Sequence, residues 1–251
     1  MNPLDIYKKL PKKNCGKCSA GTCMAFATQL LRRLVPVSEC VELDEQGQKG
    51  IESMISGPGD WKERRIQELF REISGSDLSA IAEGLGATAK DDTIKLRYLG
   101  KDIIVTHSGF GETMDIFDQL LILMYIKTAG NKPLTGNWVA FRDLKDGLIR
   151  SESFHEACEL TLARMFGNDQ DSFLKKMLEL GGTEVKGFSS KHSLIIHPLP
   201  KIPFLVLLWP GDEEFDSDCR ILFDSTVTAY IDVEALLYLG MAVVRRLAAT
   251  H

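Results

Sequence analysis

Four cysteines lie within the first forty residues, spaced Cys15-x2-Cys18-x4-Cys23-x16-Cys40. Three thiols within nine residues are not what a packed core asks for. Such spacing places three ligand atoms on one loop, and the fourth returns from beyond a short helix. An iron–sulfur cluster needs four thiolates on converging vectors, and this run can supply them. Structural zinc uses the same residue type, but usually as two separated CxxC knuckles, and a second knuckle is absent. The x2, x4 spacing favours a 4Fe-4S cluster over a two-iron one. Gly16 and Gly21 let the backbone bend closely around a bulky core. Thr22 is placed to cap a helix from Cys23 to Leu31, whose positive end would then face the cluster. Lys12, Lys13 and Lys17 would add positive charge nearby.

Charge divides unevenly along the chain. Residues 1–50 hold 8 Lys+Arg against 5 Asp+Glu, so the remainder holds 22 against 30. The whole chain is acidic, at net −5, which argues against a nucleic-acid partner. No apolar run approaches the roughly 18 residues needed to cross a bilayer, so no membrane span is expected. Met1 to Asp5 lack an apolar signal core, and the clustered cysteines suit a reducing compartment. Both point to a cytoplasmic protein.

The expected fold class is α+β: a small helical cluster domain, then a mixed α+β domain with a mostly antiparallel sheet. Ser56-Gly57-Pro58-Gly59 is a breaker, which sets the expected domains at residues 1–58 and 59–251. Asp60 is placed to cap a helix through Ile73, with Trp61, Ile66, Leu69 and Phe70 on or near one face. A second helix follows Asp77, through Leu78 to Leu85. Thr93–Tyr98 and Asp102–His107 read as a hairpin around Leu99-Gly100-Lys101. Helices are expected at 115–128, 151–166, 169–180 and from Asp232 to Leu247. Strands are expected at Leu194–Ile196, Phe204–Trp209 and Arg220–Tyr230, with prolines at the joints.

The segment Leu10-Pro11-Lys12-Lys13-Asn14-Cys15-Gly16-Lys17-Cys18, with Thr22-Cys23-Met24-Ala25-Phe26-Ala27, resembles the N-terminal 4Fe-4S domain of corrinoid iron–sulfur proteins. These belong to the acetyl-CoA decarbonylase/synthase system, and the RnfB electron-transport subunit carries the same domain type. The resemblance covers residues 4–43 and implies Cys15, Cys18, Cys23 and Cys40 as ligands. It also implies one-electron reduction of a corrinoid (cobalamin) or of a corrinoid protein. Residues 60–251 resemble the DUF3786 family instead, through Pro133–Arg142, Leu208–Phe215, Ile221–Asp224 and Asp232-Val233-Glu234. That family supplies no established activity. About 190 residues leave no room for a TIM barrel plus a corrinoid-binding domain.

Beyond the cysteines the chemistry is sparse. His107, His192 and His197 are the candidate cobalt ligands, since each ends or flanks a strand. Trp209–Asp216 is an acidic turn, read as a solvated connection rather than a cation site, and Asp224, after an apolar strand, could orient a ligand or cap a turn. Ser108–Thr113 could approach a phosphate through backbone N–H groups, although it lacks a Walker lysine. Cys158 and Cys219 read as core thiols. No Ser–His–Asp, HExxH or GxSxG arrangement is present, so hydrolase chemistry has no support. Three functions stay open besides corrinoid reduction: electron transfer to another redox protein partner, a cluster that only staples a binding protein, and an enzyme with its active site between the two domains, for which the sequence shows no constellation.

Overall fold

The computed structural model describes residues 2–31, 35–55, 61–90 and 92–249. The chain forms two compact units, residues 1–65 and 66–251. The expected boundary at Ser56–Gly59, the Asp60 cap and the terminal His251 lie outside the described residues.

Unit 1 is helical, with α1 Pro3–Tyr7, α2 Cys23–Leu31 and α3 Glu45–Ile55. Asn2 and Asp5 form a reciprocal capping box that starts α1. Thr22 Oγ1 accepts the Ala25 N–H at 3.1 Å, so the expected cap of α2 is present. Packed around these helices, Ile6, Leu10, Ala20, Phe26, Ala27, Leu30, Val37 and Ile51 form a small core together with Cys23 and Cys40.

Unit 2 is α+β. Helix α4 (Trp61–Ser74), which enters this unit at Ile66, and α5 (Leu78–Ala82) lead into a three-stranded sheet, β1 (Thr88–Lys90), β2 (Thr93–Tyr98) and β3 (Lys101–Thr106). Helix α6 (Ile116–Thr128) follows, then β4 (Trp138–Ala140). A helical stretch over residues 151–166 comprises α7 (Ser151–Phe154), a π turn (His155–Leu160) and α8 (Thr161–Phe166). After α9 (Gln170–Glu179) come β5 (Thr183–Glu184), β6 (His192–Leu199), β7 (Ile202–Trp209), β8 (Asp218–Asp224) and α10 (Val233–Ala248). The five-stranded sheet has the order β4-β8-β7-β6-β5, with every described neighbour antiparallel.

Strand β7 shows why its sequence is apolar without alternation: Ile202 to Leu208 are all buried, so both faces of this central strand are covered. Helix α6 has the same character, and Leu120–Leu123, Tyr125 and Ile126 all enter the core. Helix α10 contacts α6, α7, the π turn and α8.

Several expectations are corrected. Trp61 is 59% exposed, whereas Leu69 and Ile73 carry the buried face of α4. β8 stops at Asp224, and Val227–Ala229 is a 3-10 turn rather than strand. Pro198 and Pro203 lie inside β6 and β7, beside a register shift between Ile196 and Leu199 that spares their missing N–H groups. α5 ends at Ala82, short of Leu85, whose N–H still bonds to Ile81 O.

Candidate metal centre

All four cysteines line one small hollow in unit 1, with Pro11, Asn14, Ala20, Thr22, Phe26 and Glu42 among its walls. Among the described residues, no three His, Cys, Asp or Glu side chains stand grouped closely enough to hold a single metal ion. A hollow lined by all four cysteines fits a cluster held by four thiolates. The donor set fits as well: four thiols, with no histidine in the wall.

The backbone explains how the loop reaches this shape. Lys12, Asn14 and Gly16 have φ of 60°, 48° and 68°, three left-handed residues alternating along the run into Cys18. Asn14 tolerates that conformation and uses it. Its Oδ1 accepts the N–H of Cys23 at 2.8 Å, tying the loop to the first turn of α2. Sequence reasoning missed this role. Asn14→Ala is expected to cost about 1 kcal/mol through the lost cap and the left-handed strain. Faster loss of visible absorbance in air than in wild type is the measurement.

Exposure grades the site. Cys23 and Cys40 are buried, Cys18 is half-buried and Cys15 is exposed. Burial pushes the Cys40 thiol up, the Glu42 backbone N–H opposes this, and Cys18, Cys23 and Cys15 add to the rise. A cationic iron core, where bound, would favour the thiolate form of such ligands.

The lysines do not act as free positive charge. Lys13 and Lys17 both bind the Glu42 carboxylate, at 2.6 and 2.8 Å, and Lys12 lies over the Tyr7 ring at 5.8 Å. Hydrogen bonds from the two lysines pull the Glu42 carboxyl down to about 2. This clamp joins the Cys15–Cys18 loop to the segment after Cys40. With the cluster bound, Glu42→Gln is expected to raise the midpoint potential by tens of millivolts, because a negative charge beside the redox centre is gone. Spectroelectrochemical titration against wild type checks the sign.

In unit 2 a second motif resolves into one interaction centre. Asp224 ends β8 and is 1% exposed. Its carboxylate accepts the N–H groups of Thr135 (2.8 Å), Gly136 (2.6 Å) and Thr226 (3.0 Å). The hydroxyls of Thr135 and Thr226 also donate to it, at 3.1 and 2.6 Å. One buried carboxylate thus folds the Pro133–Trp138 loop onto the end of β8.

Residues 77–246, more than half of the chain, match the family model described as “Domain of unknown function (DUF3786)”. The chain belongs to the DUF3786 family. Its N-terminal residues 10–42 match a second model, described as “Putative Fe-S cluster”. The acetyl-CoA decarbonylase/synthase complex subunit gamma of Methanosarcina acetivorans is 50% identical over 119 residues, 47% of this chain and 21% of that protein. The subunit gamma of Methanopyrus kandleri is 36% identical over 74 residues, 30% of this chain and 16% of that one. A third relative, the corrinoid/iron-sulfur protein large subunit of Moorella thermoacetica, is 36% identical over 55 residues, 22% of this chain and 12% of its own length. The chain thus spans about a fifth or less of these relatives. No solved structure matches.

The DUF3786 domain does not gather its candidate residues. His192 and His197 sit five positions apart on β6, about 16 Å along the strand. His107 belongs to the turn after β3 in the other sheet. None of the three lines a described cavity. His107 Nδ1 is the one buried side-chain nitrogen or oxygen without a partner among the described residues.

Ser108–Thr113 is not an anion loop. The Ser108 and Gly109 N–H groups bond to Thr106 Oγ1, and the Gly111 N–H to Ile104 O. The acidic turn is solvated, and Asp212 Oδ1 accepts the N–H groups of Glu214 and Phe215. Burial pushes the Cys158 thiol up to about 12 and Cys219 well above its usual value, as suits inert core thiols.

The π turn has no signature in the sequence. It carries Glu159, whose carboxylate accepts the Ile221 N–H at 2.9 Å and meets His155 Nδ1 at 2.7 Å and Arg220 Nη1 at 3.2 Å. β4 pairs with β8 only from Leu222 to Asp224. Glu159 therefore serves the N–H just past the end of that ladder.

Proposed function

We propose that this protein is a cytoplasmic 4Fe-4S electron-transfer protein of anaerobic one-carbon metabolism. Cys15, Cys18, Cys23 and Cys40 are its ligands, in a cluster domain of residues 1–58. A DUF3786 domain, residues 59–251, binds or docks the electron acceptor, a corrinoid or a corrinoid protein. The observation that carries the reading is the ring of four cysteines around one hollow, graded from buried Cys23 and Cys40 to exposed Cys15. A cluster held there supplies one-electron chemistry at modest distance from solvent.

This chain's own residues set the terms. Asn14 and Thr22 fix the start of α2, and the Glu42 clamp closes the loop. Cys15, as the exposed ligand, marks the side from which a partner approaches. The corrinoid part of the proposal draws on the names of the relatives. His107 is its first candidate ligand, because its buried Nδ1 lacks a partner.

The test is anaerobic. The iron-loaded chain is incubated with hydroxocobalamin, desalted and examined by UV–visible spectroscopy. Stoichiometric cobalamin bands over the cluster absorption are expected, and His107→Ala weakens them. A brown protein fraction free of cobalamin rejects direct binding of this cobamide and leaves a protein partner as acceptor. A cluster that dithionite cannot reduce rejects the electron-transfer reading itself.

A further inference from the structure

The last turns of α10 run beside a cleft that neither the cluster nor the Asp224 loop uses. Two hollows, of about 330 and 280 Å³, meet there and share Leu99, Lys101, Arg246 and Ala249. The larger falls in the range of small-molecule sites.

The cations along this cleft differ in one respect. Arg245 is spent on Asp118 at 3.3 Å. Lys176 Nζ donates to the carbonyls of Leu247 at 2.6 Å and Ala249 at 3.4 Å. Lys101 and Arg246, at the shared waist, have no hydrogen-bond or ion-pair partner among the described residues. Two cations without a partner among the described residues match an oxyanion, while Glu112, Asp115 and Asp118 line the larger hollow beside them. Helix carbonyls at the end of α10 would repel such a group, and Lys176 has already taken two of the nearby ones.

The larger hollow is also lined by hydrogen-bond acceptors. Tyr98 is buried, and its hydroxyl donates to Asp118 Oδ1 at 2.7 Å. Both ties to Asp118 use Oδ1, which leaves Oδ2 open to another donor. Glu112 lines the same hollow.

We propose that this cleft binds a small organic anion: its phosphate or carboxylate sits between Lys101 and Arg246, and its hydroxyl or amine donors face Asp118 and Glu112. The site is independent of the cluster reading and would stand if that reading fell.

Isothermal titration calorimetry on the full, iron-loaded chain tests it, with inorganic phosphate, glycerol 3-phosphate, glycerate and glycerol as probes. Saturable binding of the anions is expected, with glycerol silent. Glycerol 3-phosphate is expected to bind more tightly than phosphate, and Glu112→Gln to erode that difference. A stronger response to glycerate than to either phosphate identifies the carboxylate form of the same class. Lys101→Ala and Arg246→Ala each weaken binding at least about tenfold, with iron content and thermal midpoint unchanged. Equal affinity in the double variant overturns the proposal. So does the absence of saturable heat for all three anions at millimolar concentration.

Discussion

Cys18→Ala, purified without oxygen, is expected to lose iron and sulfide at least about fourfold and to bleach in the visible. Cys18 is half-buried in the wall shared by all four cysteines, and among the described residues its Sγ hydrogen-bonds only to the Ala20 carbonyl, at 3.5 Å. A cluster with three anchors exposes an iron edge to solvent and oxygen. The consequence extends to folding. The core of unit 1 includes two of the proposed ligands, Cys23 and Cys40, beside eight apolar side chains. A unit of this size buries too little surface to be firmly stable without a metal or other staple. The variant is therefore expected to lose helical signal from unit 1 as well as colour. Cys158→Ala supplies the contrast, since that thiol is fully buried in unit 2 and should leave iron content at wild-type level. Full iron and sulfide with an unchanged spectrum in Cys18→Ala would falsify the ligand assignment. Zinc in place of iron in the wild-type protein would move the site to the structural class.

What could be read from sequence follows the range of the interaction involved. The Thr22 cap, the Asp77 and Asp115 caps and the β2–β3 hairpin depend on neighbours a few residues away, and the chain states them locally. The apolar runs of α6 and β7 declared burial before any partner was known. The missing pieces are the long-range ones. Glu42 meets Lys13 and Lys17 across 29 and 25 residues, which turned an expected positive patch into a neutralising clamp. Asn14 looked like one more polar loop residue until its bond to Cys23 placed it. Strands β1 and β5 are two or three residues long and polar, so they exist only because β2 and β6 offer them an edge. The π turn is legible only once β8 lies beside it, because the Ile221 N–H is what Glu159 answers. Asp224 stands between these cases. Its place at a strand end suggested a ligand-orienting or turn-capping role, but nothing local indicated that it holds Thr135, 89 residues earlier.

That length of reach makes Asp224 a strong stability lever in unit 2. Replacing it with alanine strips five donors of their common acceptor, three of them backbone N–H groups. A buried N–H left without an acceptor costs about 1–3 kcal/mol, and partial rehydration at the loop surface returns some of it. The expected loss for Asp224→Ala is about 3–4 kcal/mol, with a thermal midpoint lower by roughly 10 °C. Asp224→Asn keeps the shape but turns an amide NH2 toward donors, so it should recover only part of the loss. The acid dependence has a definite sign. Burial alone would raise the Asp224 carboxyl, but the hydrogen bonds from Thr226, Gly136 and Thr135 prevail and hold it below its ordinary 3.8. A carboxyl depressed in the folded state stabilises fully above its unfolded value and loses that contribution as pH falls through the folded one. Wild-type stability in urea should thus drop as the pH is lowered below about 4, and Asp224→Ala should show a shallower drop over the same window. A variant whose acid sensitivity matches wild type would mean that the carboxylate is not the group holding Thr135 and Gly136 to the end of β8.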